Sequence, residues 1–205
     1  IERSRRKIEP EITGFNKIQI SKPRKIMKTE IVTLDLGSIA NGYGVDAVLN
    51  LFSQFGIDDA LVEIGGELSA SGRNKNQEIW SVGIQKPVKD PARQNLYAVV
   101  KLDNRSIATS GNYRNYFEKD GKFYSHILDP RTGYPVDNRI VSASVVSENC
   151  AFADGLATAL MVMPLKDGLA LVNQLENTDC LIIQKEKDRF VSYESSRFHL
   201  LKKRP

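Results

Sequence analysis

The sequence has little of what defines several common classes of protein. Only two of its 205 residues are cysteines, Cys150 and Cys180, too few for a disulfide framework or a cysteine-based zinc site. No apolar run reaches 18 residues, so the chain has no pattern for a membrane-spanning helix. The hydrophobic and charged shares, 41% and 26%, exclude wholesale disorder. We therefore expect a globular domain with its own core.

The positive charge is confined to the two ends of the chain. Residues 1–29 carry nine Lys or Arg and three Glu, a net charge of +6, and residues 202–204 add +3. Because the whole chain is only +4, the remainder carries a net charge of −5. Nucleic-acid-binding domains concentrate basic residues on a folded face. The distribution therefore indicates solvated ends and no nucleic-acid partner.

Hydrophobic patterning predicts one α+β domain. Apolar residues recur at helical spacing over 40–55, 149–163 and 165–175. Short apolar or alternating runs predict strands over 31–36, 59–64, 67–71, 79–84, 96–100, 122–128, 140–146, 181–183 and 190–191. A helix, several strands, further helices and final strands are typical of an α+β layer architecture.

The first polar cluster follows the strand predicted over 31–36. Gly37 permits a sharp turn into the next helix, whose unpaired first amides are suited to a phosphate. The spacing is not that of a dinucleotide-binding or P-loop motif. An ordinary helix start with Ser38 as its N-cap is the alternative.

Two further clusters are predicted turns. Residues 106–113, with Thr-Ser-Gly-Asn after a strand end, favour a simple turn. Residues 124–135 contain Asp-Pro-Arg-Thr-Gly, preceded by His126, one of only two histidines. A histidine beside a turn can act as a general base or a ligand, although a structural role is the commoner alternative.

The fourth cluster lies within the helix predicted over 149–163. Asp154 and Thr158 are four residues apart, so their oxygens share one helical face. Oxygen ligands suit Mg²⁺, which substrate phosphates commonly complete. In the alternative, Asp154 accepts from amides near the start of its own helix and Thr158 bonds back to a carbonyl.

Five ordered stretches carry a family resemblance: LDLGSIANGYGVD, LVEIGGELSASG, ATSGNYRNYFE, YSHILDPRTGYP and ADGLATALMVM. Together, over about residues 31–200, they resemble the ApbE family of flavin transferases. The resemblance implies a single ApbE-like core over 31–205, with mixed or antiparallel sheets flanked by helices. Residues 1–30 would be the basic end of a truncated N-terminal region that helps to wall the FAD pocket. The chain begins at Ile1 rather than Met, so we expect the natural N-terminus to be missing.

The resemblance also implies an activity. Family members use Mg²⁺ to transfer FMN from FAD to a Thr or Ser hydroxyl of an acceptor protein, releasing AMP. The acceptor carries a Ser-Gly-Ala-Thr type of flavinylation sequence. The alternatives are an FAD pyrophosphatase giving FMN and AMP, and a non-catalytic FAD-binding protein. An extracytoplasmic location, periplasmic or at the cell surface as a lipoprotein, is likewise implied, with any lipid anchor outside this chain.

Site residues follow from the same resemblance. His126 would be the catalytic base, and FAD would be contacted by Asp35, Asn41, His126 and Ile127. Mg²⁺ would be bound by the backbone carbonyl of Ser38 and the side chains of Asp154 and Thr158. The family most often has Lys at the position of Asn41, and an amide supplies no positive charge to the phosphates.

Overall fold

The structure is a computed structural model that describes residues 14–22, 24–88, 95–112, 116–119, 122–187 and 189–202. Parts of three sequence predictions lie outside these ranges: residues 1–13 of the basic segment, Lys203 and Arg204 of the basic end, and Tyr113 of the second cluster. No helix within the described ranges is long and apolar enough to cross a membrane.

Three helices and twelve strands form the described part of the chain. In chain order, they are β1 (Ile18–Ser21), β2 (Lys25–Lys28), α1 (Ala40–Gln54), β3 (Ala60–Ile64), β4 (Glu67–Ser71), β5 (Trp80–Gln85), β6 (Leu96–Leu102), β7 (Ser106–Gly111), β8 (Tyr116–Lys119), β9 (Lys122–Ser125), β10 (Ile140–Ser147), α2 (Cys150–Val162), α3 (Leu165–Gln174), β11 (Asp179–Glu186) and β12 (Arg189–Glu194).

The central element is a six-stranded antiparallel sheet in the order β12-β11-β10-β7-β4-β3. The other described strands form three antiparallel hairpins, β1-β2, β5-β6 and β8-β9. The sheet and its helices confirm the predicted α+β class with antiparallel sheets. The predicted division at residue 30 follows the β1-β2 hairpin and stays a prediction.

Both faces of the sheet are covered, which explains why its central strands read as nearly continuous apolar runs. On one face, α2 and α3 pack against alternate residues of the central strands, such as Ala143 and Val145. On the other face, the β5-β6 hairpin packs against the intervening residues, such as Ile107 and Val146. Phe198, in a short 3-10 turn near the end of the chain, completes that second layer.

Helices α1 and α2 approach each other closely near their first turns. Gly42 of α1 lies against the backbone of Cys150 and Ala151 of α2. A Cβ at Gly42 would overlap the carbonyl oxygen of Cys150 and lie 2.8 Å from the Cα of Ala151. Only glycine therefore allows this crossing, which brings the starts of the two helices together.

The strand predicted over 31–36 was wrong. Residues 32–36 have no strand structure, and the segment has no paired neighbour among the described residues. Val32 is buried, but Ile31 and Leu36 are 91% and 62% exposed. An apolar run without a partner ladder cannot form a sheet, because a strand satisfies its backbone groups through its neighbours.

The turn predicted at Thr-Ser-Gly-Asn, residues 109–112, was also wrong over most of its length. Residues 106–111 form β7, an inner strand between β4 and β10. Its hydroxyl groups pair with those of neighbouring strands: Ser106 with Ser69, and Thr109 with Ser144, both at 2.8 Å. Small polar side chains that suggest a turn are here satisfied across strands.

Both cysteines are free and buried, one in α2 and one in β11. Burial is the largest cause that raises the pKa of each thiol to about 12. Because the thiolate is the reactive form, we predict that neither thiol reacts with a disulfide reagent in the folded protein at pH 8. Spectrophotometric titration should detect both thiols only after denaturation, and rapid modification of the native protein would contradict the buried placement.

Replacement of Gly42 tests the helix crossing. Gly42→Ala should lower the free energy of unfolding by about 1–3 kcal/mol, the usual cost of overpacking. Gly44→Ala is the matched control, because its Cβ would meet only the end of the Ile64 side chain, at 3.2 Å. Urea unfolding of both variants should show a loss for the first only, and equal stabilities would refute the close crossing.

Candidate active site

A cleft of about 1600 Å³ opens beside the first turns of α1 and α2. Its wall combines the segment before α1, the β3-β4 turn, the end of β7, part of β5, the loop after β9 and one face of α2. All seven residues singled out from the sequence line this one cleft: Asp35, Ser38, Asn41, His126, Ile127, Asp154 and Thr158. The fold thus collects residues that are more than a hundred positions apart in the chain.

The segment before α1 forms a tight turn. The Asp35 carboxylate accepts a hydrogen bond from the Gly37 amide at 2.8 Å, an Asx turn that directs the chain into the helix. The alternative that Ser38 is the N-cap was wrong, since Ile39 occupies that position and no side chain there caps the helix. Ser38 instead lies in the cleft wall beside the start of α1.

Asp154 is the buried carboxylate of the cleft, only 7% exposed. Its Oδ2 accepts a hydrogen bond from the Gly42 amide of α1 at 3.0 Å. The alternative that it accepts from its own helix was therefore wrong. Burial raises the pKa of Asp154, and the Gly42 hydrogen bond opposes that shift. A cation in the cleft would stabilise the ionised form of this buried carboxylate.

Thr158 lies one helical turn beyond Asp154 on the same side of α2. Its hydroxyl is 2.9 Å from the hydroxyl of Ser110 at the end of β7. The alternative that it bonds back to a helix carbonyl does not describe the structure, which pairs it with a strand residue. Sequence reasoning missed Ser110, because β7 was taken for a turn and no spacing rule connects it with α2.

The Asn41 side chain donates a hydrogen bond to an acidic residue. Its Nδ2 donates to Oε2 of Glu67 at 3.1 Å, and Glu67 is itself only 7% exposed. Gly65, in the β3-β4 turn with φ of +69°, makes room for this pair, because a Cβ there would lie 2.5 Å from Asn41 Nδ2. The Gly-Gly-Glu sequence of that turn, which lies within one of the five family stretches, was the available signal for Glu67, but no role was predicted for this residue.

His126 follows directly after β9 and begins a compact loop. The His126 side chain is exposed toward the cleft wall, whereas Ile127 is buried. The Ile127 amide donates to the Ser125 hydroxyl at 3.1 Å, and its carbonyl accepts from Val136 at 3.0 Å. These bonds fix the backbone on both sides of the loop that presents His126.

The same loop is attached to the last turn of α2. Arg131 donates to both oxygens of Asp129, at 2.9 and 2.7 Å, and its Nη2 also donates to the Val162 carbonyl at 3.1 Å. The Arg131 hydrogen bond is the largest cause that lowers the pKa of Asp129. The pair thus connects the His126 loop with the helix that carries Asp154 and Thr158.

The cleft is predominantly acidic. Its described lining includes four carboxylates, those of Asp35, Glu63, Glu67 and Asp154. Arg131 is the only Lys or Arg in that described lining, and its charge is already paired with Asp129. An anionic substrate would therefore need a cation to enter such a cleft with it.

The available oxygen donors fit a hard cation that takes only a few of its ligands from the protein. Within the described residues, no group of three or more His, Cys, Asp or Glu side chains could hold a metal ion. Asp154 and Thr158, one helical turn apart on α2, supply one carboxylate and one hydroxyl, an incomplete set of oxygen ligands. That set suits Mg²⁺, which usually retains waters and binds substrate phosphates, better than Zn²⁺, which takes nitrogen and sulfur ligands.

Comparison with known sequences gives a consistent result. A sequence profile of the ApbE family matches residues 2–182. The FAD:protein FMN transferase of Vibrio cholerae is 42% identical over 187 residues, which are 91% of this chain and 55% of that protein. The corresponding protein of Haemophilus influenzae is 39% identical over 170 residues, or 83% of this chain and 49% of that protein.

Solved structures agree with the sequences. Flavin transferase ApbE from Vibrio cholerae superposes with a TM-score of 0.82 at 39% identity, covering 94% of this chain and 60% of that chain. The ApbE protein of Thermotoga maritima gives a TM-score of 0.81 at 29% identity, covering 95% and 62%. This chain spans about half the length of the curated relatives it matches. The matches extend over nearly all of the described fold and its cleft, and the chain belongs to the ApbE family.

Proposed function

We propose that this chain forms the catalytic part of a Mg²⁺-dependent FAD:protein FMN transferase. The enzyme transfers FMN from FAD to a Thr or Ser hydroxyl of an acceptor protein and releases AMP. The observation that carries the proposal is the cleft itself, in which a buried carboxylate, a hydroxyl and an exposed histidine lie on one acidic wall. Relatives at 39–42% identity named FAD:protein FMN transferase support it.

The oxygen donors would hold the metal. The Ser38 carbonyl, the Asp154 carboxylate and the Thr158 hydroxyl are the groups assigned to Mg²⁺. When bound, Mg²⁺ supplies positive charge that neutralises the pyrophosphate of FAD. Ser110 keeps the Thr158 hydroxyl in place, and the Gly42 amide fixes one oxygen of Asp154 while the other oxygen stays available to a cation.

His126 is assigned to the proton transfer. The acceptor hydroxyl attacks the phosphorus of the FMN half of FAD, its proton passes to His126, and the bond from that phosphorus to AMP breaks. AMP then leaves with the bridging oxygen, and a phosphoester joins FMN to the acceptor. The Arg131–Asp129 pair keeps the His126 loop against α2, so that base and metal donors remain on the same cleft.

Asp35, Asn41 and Ile127 complete the proposed FAD contacts. Ile127 would offer an apolar contact and Asp35 an acceptor, since both line the cleft. Asn41 brings no positive charge, and its amide is already bonded to Glu67. The phosphates therefore depend more strongly on the metal than they would with a lysine at this position.

The partner and the location are further proposals that rest on the family resemblance. The acceptor would present its hydroxyl within a Ser-Gly-Ala-Thr type of sequence. An extracytoplasmic location, with any lipid anchor outside the 205 residues, follows from the same resemblance. Fractionation of cells that express the complete gene product would test the location directly, and a purely cytosolic product would refute it.

Covalent labelling tests the activity. Incubation of the intact protein with FAD, Mg²⁺ and an acceptor carrying Ser-Gly-Ala-Thr should give an acceptor that remains fluorescent after denaturing electrophoresis, together with one AMP per label. Chelation of Mg²⁺ should abolish the label. FMN and AMP released without label would indicate a pyrophosphatase instead, and FAD binding without AMP release would indicate a non-catalytic protein.

The two histidines provide a matched test of the base. His126→Ala should lower the labelling rate by about 10²- to 10⁴-fold, the usual contribution of a general base, while FAD binding is largely retained through the other contacts. His199→Ala is the control, because His199 is exposed in the 3-10 turn and does not line the cleft. Stopped time courses would measure both rates, and an unchanged rate in His126→Ala would remove its role as base.

A further inference from the structure

The starts of α1 and α2 are joined by hydrogen bonds from the first amides of each helix to a carboxylate of the other. Asp46 of α1 accepts hydrogen bonds from two first-turn amides of α2, from Cys150 to Oδ1 and from Ala151 to Oδ2, both at 2.9 Å. In the opposite direction, Asp154 of α2 accepts from the Gly42 amide in the first turn of α1. Each helix therefore supplies a carboxylate to the start of the other.

The hydrogen bonds in both directions are physically favourable. The first amides of a helix have no partner within the helix, and the positive end of its dipole attracts a carboxylate. In each helix, the donating amide and the carboxylate are four residues apart, Gly42 with Asp46 and Cys150 with Asp154. Because this spacing is one turn, both interactions lie on the facing sides of the helices and hold them in one relative position.

We propose that Asp46 is a positioning residue for the metal-binding wall of the cleft. The inference rests on the proposed function of Ser38 and Asp154. Ser38 is joined to the start of α1 and Asp154 belongs to α2, so their separation depends on how the two helices meet. Asp46 is absent from the described lining of the cleft and acts only through the helix starts that it joins.

Asp46 and Asp154 contribute differently to the contact between the helices. Asp154 holds Gly42 with one oxygen, Oδ2, and its carboxylate is also assigned to the proposed cation. Asp46 uses both oxygens for the helix contact. The residue that does not line the cleft therefore supplies two of these three hydrogen bonds, and its loss would leave the crossing to a single bond from the metal ligand itself.

Amide hydrogen exchange in the metal-free protein tests this idea independently of activity. Asp46→Ala removes the partners of the Cys150 and Ala151 amides, so both should exchange faster. If the contacts between the two helix starts depend on one another, the Gly42 amide should also exchange at least about tenfold faster, although it does not bond to Asp46. Unchanged protection of Gly42 would show that Asp46 caps α2 only locally, which would overturn the proposal.

Metal binding provides the second readout. Calorimetric titration with Mg²⁺ should show about 10- to 100-fold weaker binding in Asp46→Ala, as is usual when a group that orients a metal ligand is lost. Asp46→Asn retains one acceptor oxygen, so its affinity for Mg²⁺ should lie between those of the wild type and Asp46→Ala. At saturating Mg²⁺ the labelling rate of Asp46→Ala should approach that of the wild type, since the donors themselves are intact.

A stability control separates positioning from simple destabilisation. Val172→Ala removes buried volume from the core beneath α3, away from the cleft, and should lower the melting temperature without changing the affinity for Mg²⁺. Equal loss of Mg²⁺ affinity in Val172→Ala and Asp46→Ala would refute a specific role for Asp46. Failure of the wild type to label an acceptor would instead refute the proposed function. It would not change the conclusion from amide hydrogen exchange.

Discussion

The close crossing of α1 and α2 is the constraint on which the cleft depends. Gly42 allows the two backbones to touch, and Asp46 and Asp154 each satisfy amides of the opposite helix. Without this arrangement, the turn that carries Ser38 and the helix face that carries Asp154 and Thr158 would not share a wall. The sheet then adds Ser110 to the α2 side, and the loop after β9 adds His126.

An acidic cleft is an unusual place for the proposed substrate, FAD, because its pyrophosphate is negatively charged. The apparent contradiction is resolved if a divalent cation accompanies the nucleotide, since the cation stabilises both the buried carboxylate and the phosphates. In this account, Asn41 and the paired Arg131 leave the metal as the main source of positive charge. The net charge of the chain, which is basic only at its ends, is consistent with a site that selects a metal complex rather than a free polyanion.

Hydrophobic periodicity predicted the helices, and the family resemblance named seven residues that line one cleft, but neither predicted the contacts that build it. Apolar periodicity located all three helices to within one or two residues at each end, because it reports a buried face directly. It failed for residues 31–36, where an apolar run suggested a strand that has no partner among the described residues. Turn-forming residues also misled at 109–111, which belong to an inner strand. Ser110, Glu67 and Asp46 were missed because their partners are distant in sequence and are known only once the chain has folded.

In the proposed site, one divalent cation binds between the start of α1 and the face of α2 that carries Asp154 and Thr158. Anomalous diffraction from crystals of the protein grown with FAD and Mn²⁺ would locate that ion directly. We predict a single strong peak within about 2.5 Å of an oxygen of Asp154, with the Thr158 hydroxyl and the Ser38 carbonyl as neighbours. A peak bound elsewhere, or FAD seated in the cleft with no ion beside Asp154, would contradict it.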